Sequence, residues 1–287
     1  MGWWMTGVVA RRGAIAGAAL SAVAAGVFLF VFADRSGAAA QPSLTVSVPP
    51  ASTDRIYGAP EARGRPIVVI DAGHGGRDPG ATSVSGQVSE KDLALALARE
   101  LRDDLVKRGR VRVAMTRDDD RYLSLDERAS VARRLDAAMF VSLHMDSAPN
   151  PLARGATVYS LSDVASDEEA ARLAAKENAG AAADAFDGSV QAMLSDLAMQ
   201  SQMSASADLA ARLVHKSAGR FELRPNPHRF AAFHVLRRSA APAVLFEAGY
   251  ISNADDELLL RSPEQRSKIA LALAQAIETD VAARARR

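Results

Sequence analysis

The chain has 287 residues, 48% of them apolar and 24% charged, with 35 Lys and Arg against 34 Asp and Glu and no cysteine. That length and apolar content fill one large domain or two small ones. Near-balanced charge gives no footprint for a polyanion such as nucleic acid, and the lack of cysteine excludes disulfides and thiolate ligands, leaving His, Asp and Glu to hold any metal.

Residues 1–40 read as a targeting segment rather than as fold. Arg11 and Arg12 precede an apolar run of 21 residues, Gly13 to Ala33, and Ala38-Ala39-Ala40 follows as a small-residue cleavage pattern. The run is longer than the roughly 7–15 residues of a signal peptide and close to the ~20 that span a bilayer, so a cleaved signal and a retained inner-membrane anchor both stay open. The paired arginines admit either Sec or twin-arginine export. Losing Arg11, Arg12 and Arg35 (+3) with Asp34 (−1) takes the net charge from +1 to −1.

Residues 41–65 contain Pro42, Pro49, Pro50, Gly58, Pro60 and Gly64 without sustained periodicity and read as a flexible linker. From Pro66 to Arg287, apolar runs alternate with amphipathic stretches. This predicts a single α/β domain with a twisted, largely parallel central sheet, flanked by helices on both faces, plus a helical insert. Strands are expected at Ile67–Asp71, Val111–Thr116, Met139–His144, Ala156–Leu161 and Ala243–Glu247, with a further one at Phe233–Leu236. Helices are expected at Ser89–Arg108, from a Ser cap to a stop before Gly109, at Ser124–Leu135 and at Pro263–Arg284. Residues 162–220 form an alanine-rich helical excursion longer than a crossover needs, with the insert itself at about 162–205. Asp167, Glu168, Glu169 and Glu177 lie near its start, Gly188 divides it, and Gly180 weakens its first helix by roughly 1 kcal/mol relative to alanine.

Four residues sit where predicted elements begin or end. His74 follows a strand within Ile70-Asp71-Ala72-Gly73-His74-Gly75-Gly76, and His144 follows Phe140-Val141-Ser142-Leu143 at the same end of a second strand. Open α/β sheets bind ligands at that carboxyl edge, so the two imidazoles can face one another. Glu90 opens a helix whose first turn can return to the mouth of the first strand, and Glu247 ends a buried strand at the same edge. Two imidazoles and a carboxylate make a three-ligand zinc site with an open fourth position, and a further carboxylate can serve as its base. Each residue also has an ordinary alternative: a turn histidine, a buried polar histidine, a helix-start carboxylate stabilised by the dipole, a carboxylate bonded to a turn. Asp71 and Asp146 could accept ring N–H protons or be ordinary turn aspartates. His215, His228 and His234 stay outside the expected metal shell, with His228 able to line the cleft.

Together these segments resemble the zinc-dependent N-acetylmuramoyl-L-alanine amidases, specifically the periplasmic cell-division type. The resemblance spans most of residues 66–284. It rests on Val69-Ile70-Asp71-Ala72-Gly73-His74-Gly75-Gly76-Arg77-Asp78-Pro79-Gly80-Ala81, Ser89-Glu90-Lys91-Asp92, Ser142-Leu143-His144-Met145-Asp146 and Phe246-Glu247-Ala248-Gly249-Tyr250-Ile251-Ser252-Asn253. It implies that His74, Glu90 and His144 bind Zn²⁺, that Glu247 is the catalytic acid/base, and that no organic cofactor is required. The implied substrate is peptidoglycan, cut at the amide between N-acetylmuramic acid and L-alanine of the stem peptide, in the periplasm, during wall remodelling and daughter-cell separation.

The helical excursion is similar to the autoinhibitory insert of those enzymes. This implies Glu177 as a further zinc ligand in a resting state and a protein activator that displaces the insert; an ordinary solvated helix face is the alternative. Two departures accompany the resemblance. The reading of residues 1–65 as targeting segment and linker leaves no expected amino-terminal wall-targeting domain of the kind many relatives carry, and Ala179 follows Asn178 where relatives often place an arginine. Two other functions remain open: a catalytically silent wall-binding or division scaffold, which would be expected to have lost a ligand or the base, and a zinc peptidase acting within the stem peptide.

Overall fold

A computed structural model describes residues 55–179, 181 and 190–286, without the side chains of 190–195. The expected targeting segment 1–40, most of the expected linker, Gly180 and the expected break at Gly188 lie outside the described residues. In chain order the strands are β1 (Ile56–Tyr57), β2 (Ile67–Ala72), β3 (Arg112–Met115), β4 (Met139–Asp146), β5 (Ala156–Leu161), β6 (Leu223–Ala231) and β7 (Ala243–Tyr250). The helices are α1 (Glu90–Arg108), α2 (Leu125–Arg134), α3 (Glu168–Glu177), α4 (Val190–Ser217), α5 (His234–Arg238), α6 (Ala254–Arg261) and α7 (Pro263–Arg284).

The strands form one seven-stranded sheet in the order β1-β3-β2-β4-β7-β5-β6. β3, β2, β4 and β7 run parallel, as do β5 and β6, while β1 and β5 pair antiparallel with β3 and β7. The central strands β2, β4 and β7 are buried along their whole length, as expected of parallel strands covered on both faces. Alternate residues feed two cores. Val68 and Ile70 pack with Leu97 and Leu101 of α1, Leu209 and Leu213 of α4, and Leu273 and Ile277 of α7. Ile67 and Val69 pack with Val131 of α2, Leu173 of α3, and Val235 of α5. Each such side chain removed from water contributes roughly 1.5–3 kcal/mol.

Local signals explain most boundaries. Ser124 and Glu127 form a reciprocal capping box at the start of α2, and Gly109 ends α1 in the left-handed conformation with φ 68°. The Ser cap expected for α1 is not made by its side chain, which bonds Asp92 instead. Carbonyls of the preceding loop take its place: Glu90 N–H donates to Ala81 O (2.8 Å) and Lys91 N–H to Pro79 O (3.1 Å). That substitution folds the glycine-rich loop over the helix start.

The structure corrects several expectations. Phe233–Leu236 is not a strand: Phe233 precedes the short helix α5, and Arg237 N–H returns to Phe233 O at 3.0 Å. A brief apolar run satisfies burial equally well in either conformation. β6 was not expected, because Pro225 and Pro227 interrupt it; it forms the sheet edge, where missing N–H groups break no ladder. Ile56–Tyr57, inside the expected linker, already pairs with β3. α4 runs to Ser217, within the helical excursion expected over residues 162–220. Among the described residues, no helix is long and apolar enough to cross a membrane.

Candidate metal centre

β2 and β4 are register partners, Ala72 opposite Leu143, so both end at one sheet edge. Just beyond it the chain turns sharply: His74 adopts φ 56°, a left-handed conformation uncommon for a residue with a Cβ. Its Nδ1 bonds Asp78 Oδ2 at 2.9 Å, and Asp78 Oδ1 accepts the Gly80 N–H at 3.1 Å. With the Nδ1 proton directed to a carboxylate, the lone pair of the neutral ring is on Nε2. That atom lies 2.9 Å from Glu90 Oε1 and 3.6 Å from Glu177 Oε2. His144 Nδ1 lies 2.9 Å and 3.4 Å from the same two oxygens.

One ligand atom each from His74, Glu90, His144 and Glu177 lies within 4.8 Å of all the others. A tetrahedral ion with bonds of about 2.0–2.1 Å has ligand–ligand edges of about 3.3 Å, and the distances above bracket that value. Further observations fit a cation. His74 Nε2, although close to Glu90, has no hydrogen bond of acceptable geometry. Glu90 is fixed from its other sides by the N–H groups of Ala81 (2.9 Å) and Met145 (3.2 Å). A Cβ on Gly73 would sit 2.5 Å from the His144 ring, and one on Gly80 would sit 2.6 Å from Glu90 Oε2. These glycines therefore make room for the His144 ring and the Glu90 carboxylate. Nitrogen and carboxylate donors in this number suit zinc among the common divalent ions.

Electrostatics follow the geometry. Burial disfavours a charged His74, but the Asp78 hydrogen bond and the neighbouring carboxylates of Glu90 and Glu177 outweigh it and push the imidazole up to about 10. Asp78 is correspondingly lowered to about 2, chiefly by its bond to His74. Glu90 is fully buried, yet the two imidazoles hold its carboxyl well below the usual range. Glu247 goes the other way. It faces His144 across the β4–β7 pair, is 1% exposed, and is pushed well up by burial and then by Asp146, Glu90 and Glu177.

A cavity of about 510 Å³ opens over the cluster, lined among others by His74, Tyr122, His144, Lys176 and Glu177. Lys176 Nζ is 3.0 Å from Glu177 Oε1 and 3.8 Å from Glu90 Oε2, offsetting part of the negative charge. Helix α3, which carries Glu177, is fixed at both ends. Glu169 bonds Arg224, Arg229 and Tyr250 near its start. At its end Asn178 Nδ2 donates to Ala232 O (2.8 Å) and Asn178 Oδ1 accepts from His234 N–H (2.7 Å).

All four residues expected to form the site occupy one region, and Glu177 lies among them. Neither Asp71 nor Asp146 supports an imidazole. Asp71 bonds Thr116, Ser142 and Arg128, and Asp146 accepts the Ser147 N–H. Asp78 has that role, reaching His74 across the tight glycine turn that joins them. His228 does not line the cavity; it bonds Ser160 at the sheet edge. His215 is exposed on α4, and His234 pairs with Asp126.

Comparison with known proteins agrees. The family Amidase_3, N-acetylmuramoyl-L-alanine amidase, matches residues 68–279. This chain belongs to the N-acetylmuramoyl-L-alanine amidase family. The amidase is 35% identical over 225 residues to the N-acetylmuramoyl-L-alanine amidase AmiA of Escherichia coli, covering 76% of this chain and 77% of that one. It is 34% identical to the AmiC enzyme of Neisseria meningitidis over 75% of this chain and 52% of that longer protein. Its fold matches the amidase AmiC2 of Nostoc punctiforme with a TM-score of 0.55 at 26% identity, covering 78% of this chain and 99% of that one. The CwlV catalytic domain of Bacillus (Paenibacillus) polymyxa matches with a TM-score of 0.54 at 28% identity, covering 74% and 96%. The protein is thus a peptidoglycan amidase with a mixed α/β fold.

Proposed function

We propose that this amidase hydrolyses the amide between N-acetylmuramic acid and L-alanine of the stem peptide using a zinc ion held by His74, Glu90 and His144. The observation that carries the reading is the convergence of two imidazole nitrogens and two carboxylates within 4.8 Å, beside the buried Glu247. A zinc ion bound there supplies a Lewis acid and lowers the pKa of water to ~7. Asp78 holds the His74 ring in the tautomer that presents Nε2. Glu247, whose carboxylate burial makes more basic, is suited in its ionised form to take a proton from water and then, as the acid, to give it to the leaving amine.

Glu177 gives a resting state. Its carboxylate occupies the side of the cluster where a three-ligand site would be open, Lys176 and Glu177 line the cavity, and Glu247 is covered. Activation then means withdrawal of α3, and a protein activator that captures the displaced insert would drive it. The proposed setting is the periplasm, with wall remodelling and daughter-cell separation as the role and the amino-terminal segment as the export signal or inner-membrane anchor.

The test is digestion of purified peptidoglycan by the protein and by its Glu177→Ala variant, with and without chelator, followed by mass analysis. Intact stem peptides beginning with L-alanine, lost on chelation and restored by Zn²⁺, are expected. Shortened stem peptides would instead make it a peptidase, and release that survives chelation would remove the metal mechanism. Unchanged turnover in Glu177→Ala would remove the resting state alone.

A further inference from the structure

The loop that carries His74 is held from below by two buried arginines. Arg117 is 2% exposed and Arg128 3%. Arg117 Nε donates to Ala72 O (2.9 Å), and its Nη2 donates to Gly73 O (2.7 Å) and Lys91 O (2.8 Å). Arg128 Nη1 donates to Ala72 O (2.7 Å) and Asp71 Oδ1 (2.8 Å), and its Nη2 donates to His74 O (2.5 Å). Three consecutive carbonyl oxygens, Ala72, Gly73 and His74, thus all accept from the two guanidinium forks. Neither arginine contributes a ligand atom to the cluster.

This arrangement is costly. Two like charges lie close enough that burial, with Arg128 beside it, brings Arg117 down to about 10, and Asp71 bonds the Arg128 fork alone. The loop it serves is also strained: a left-handed residue with a Cβ costs of order 1–3 kcal/mol and persists only where its surroundings over-determine it. His74 is such a residue, at φ 56°. The next residue, Gly75, would meet the Arg117 side chain within 3.0 Å if it carried a Cβ. Arg117 also reaches the first turn of α1 through Lys91 O, one residue after Glu90. The same fork therefore ties the His74 loop to the helix start that presents the carboxylate.

We propose that Arg117 and Arg128 are positioning residues that hold His74 in its ligating conformation and fix its distance from Glu90, so that the metal-binding geometry exists before the ion arrives. The inference rests on the reading that His74 and Glu90 bind the metal. A lysine in either position keeps the charge but cannot span adjacent carbonyls as a planar fork. Loss of a residue that orients a metal ligand typically lowers metal affinity 10–100-fold.

The experiment measures Zn²⁺ affinity of the full-length protein by competition with a chromophoric chelator, and the visible absorption spectrum of the Co²⁺ form. It compares the wild type with Arg117→Lys, Arg128→Lys and a control, Arg266→Lys. Arg266 is likewise buried and donates to the carbonyls of Leu260 and Arg261, but it lies outside the centre. Far-UV circular dichroism and thermal unfolding identify the folded variants. Should Arg117→Lys fail to fold, Arg128→Lys decides the question.

The expected result is a 10–100-fold loss of Zn²⁺ affinity and an altered Co²⁺ spectrum in each of the Arg117 and Arg128 variants that folds, with Arg266→Lys losing stability but keeping both metal readouts. Wild-type affinity and spectrum in a folded Arg128→Lys protein would overturn the proposal while leaving the metal centre standing. A loss no greater than in Arg266→Lys at matched stability would overturn it too. If the wild type binds no ion, the metal reading itself fails, and this inference with it.

Discussion

His144 and Glu247 are Cα partners on the adjacent parallel strands β4 and β7, so an imidazole of the His/Glu cluster and a buried carboxylate share one sheet edge. The pairing follows from register, and a one-residue slip of either strand would turn its side chain to the opposite face from its partner's.

Glu247→Gln should lower turnover about 10²–10⁴-fold, the usual contribution of a positioned acid/base, while Zn²⁺ affinity stays near wild type. Stability should move the other way. A carboxyl raised above its ordinary value destabilises the fold progressively as pH rises from that value toward the raised one, and glutamine removes this cost. The metal-free variant should therefore unfold at a higher temperature than the wild type at neutral pH, with the gap closing below pH ~4.5. Thermal unfolding across that range, beside peptide-release kinetics, checks both parts.

Asn178→Ala should raise basal activity. Its side chain makes two neutral hydrogen bonds to the Ala232–His234 turn, next to Glu177. At ~1 kcal/mol each, their loss shifts the release of α3 by about 10–30-fold. Turnover without an activator is the measurement, and an unchanged rate in Asn178→Ala beside a raised one in Glu177→Ala would place the restraint elsewhere.

Glu169 makes the seating of α3 sensitive to acid. Burial opposes its charge, but hydrogen bonds from Arg224, Arg229 and Tyr250 prevail and hold the carboxyl near 2. A depressed carboxyl contributes stability that is complete above its unfolded value, near 4.5, and is lost as pH falls toward 2. Wild type should thus melt above Glu169→Gln at neutral pH, and the two curves should converge as acid is added. Parallel curves over the whole range would show that the ion pairs contribute nothing net.

Gly73→Ala tests whether the cluster needs the space that glycine leaves. Gly73 has no positive φ, so its requirement is spatial: the added Cβ would approach His144 Cε1 and Nε2 to 2.5 Å. Displacing that ring should cost at least ~10-fold in Zn²⁺ affinity, by analogy with other losses of ligand orientation. Calorimetric titration of the folded variant reads the effect directly.

The sequence made the main architecture readable because the buried parallel strands are continuous apolar runs and the long helices have clear stops. The His/Glu cluster was readable for a related reason: His74, Glu90 and His144 stand at or near element ends, where topology brings them to one edge, whereas Glu247, expected to end its strand, lies within β7, which continues to Tyr250. Side-chain direction was not readable. That Asp78 rather than Asp71 would reach an imidazole depends on left-handed turns at His74 and Gly80, which spacing does not specify. β6 escaped notice because its register is set by its neighbour β5, not by its own alternation, and its prolines look like a loop. Phe233–Leu236 was ambiguous because a single turn of helix and a short strand bury the same side chains.

The connection between β5 and β6 has two unequal parts. α4 buries Leu209 and Leu213 in the same core as α1 and α7, whereas α3 adds Ala170, Leu173 and Ala174 to the opposite face. Two neighbouring parallel strands need a long return path in any case, and α4 supplies it. Helix α3 is therefore a graft on a bridge the architecture already required. Trimming it away should leave the sheet joined, whereas removing the bridge should not.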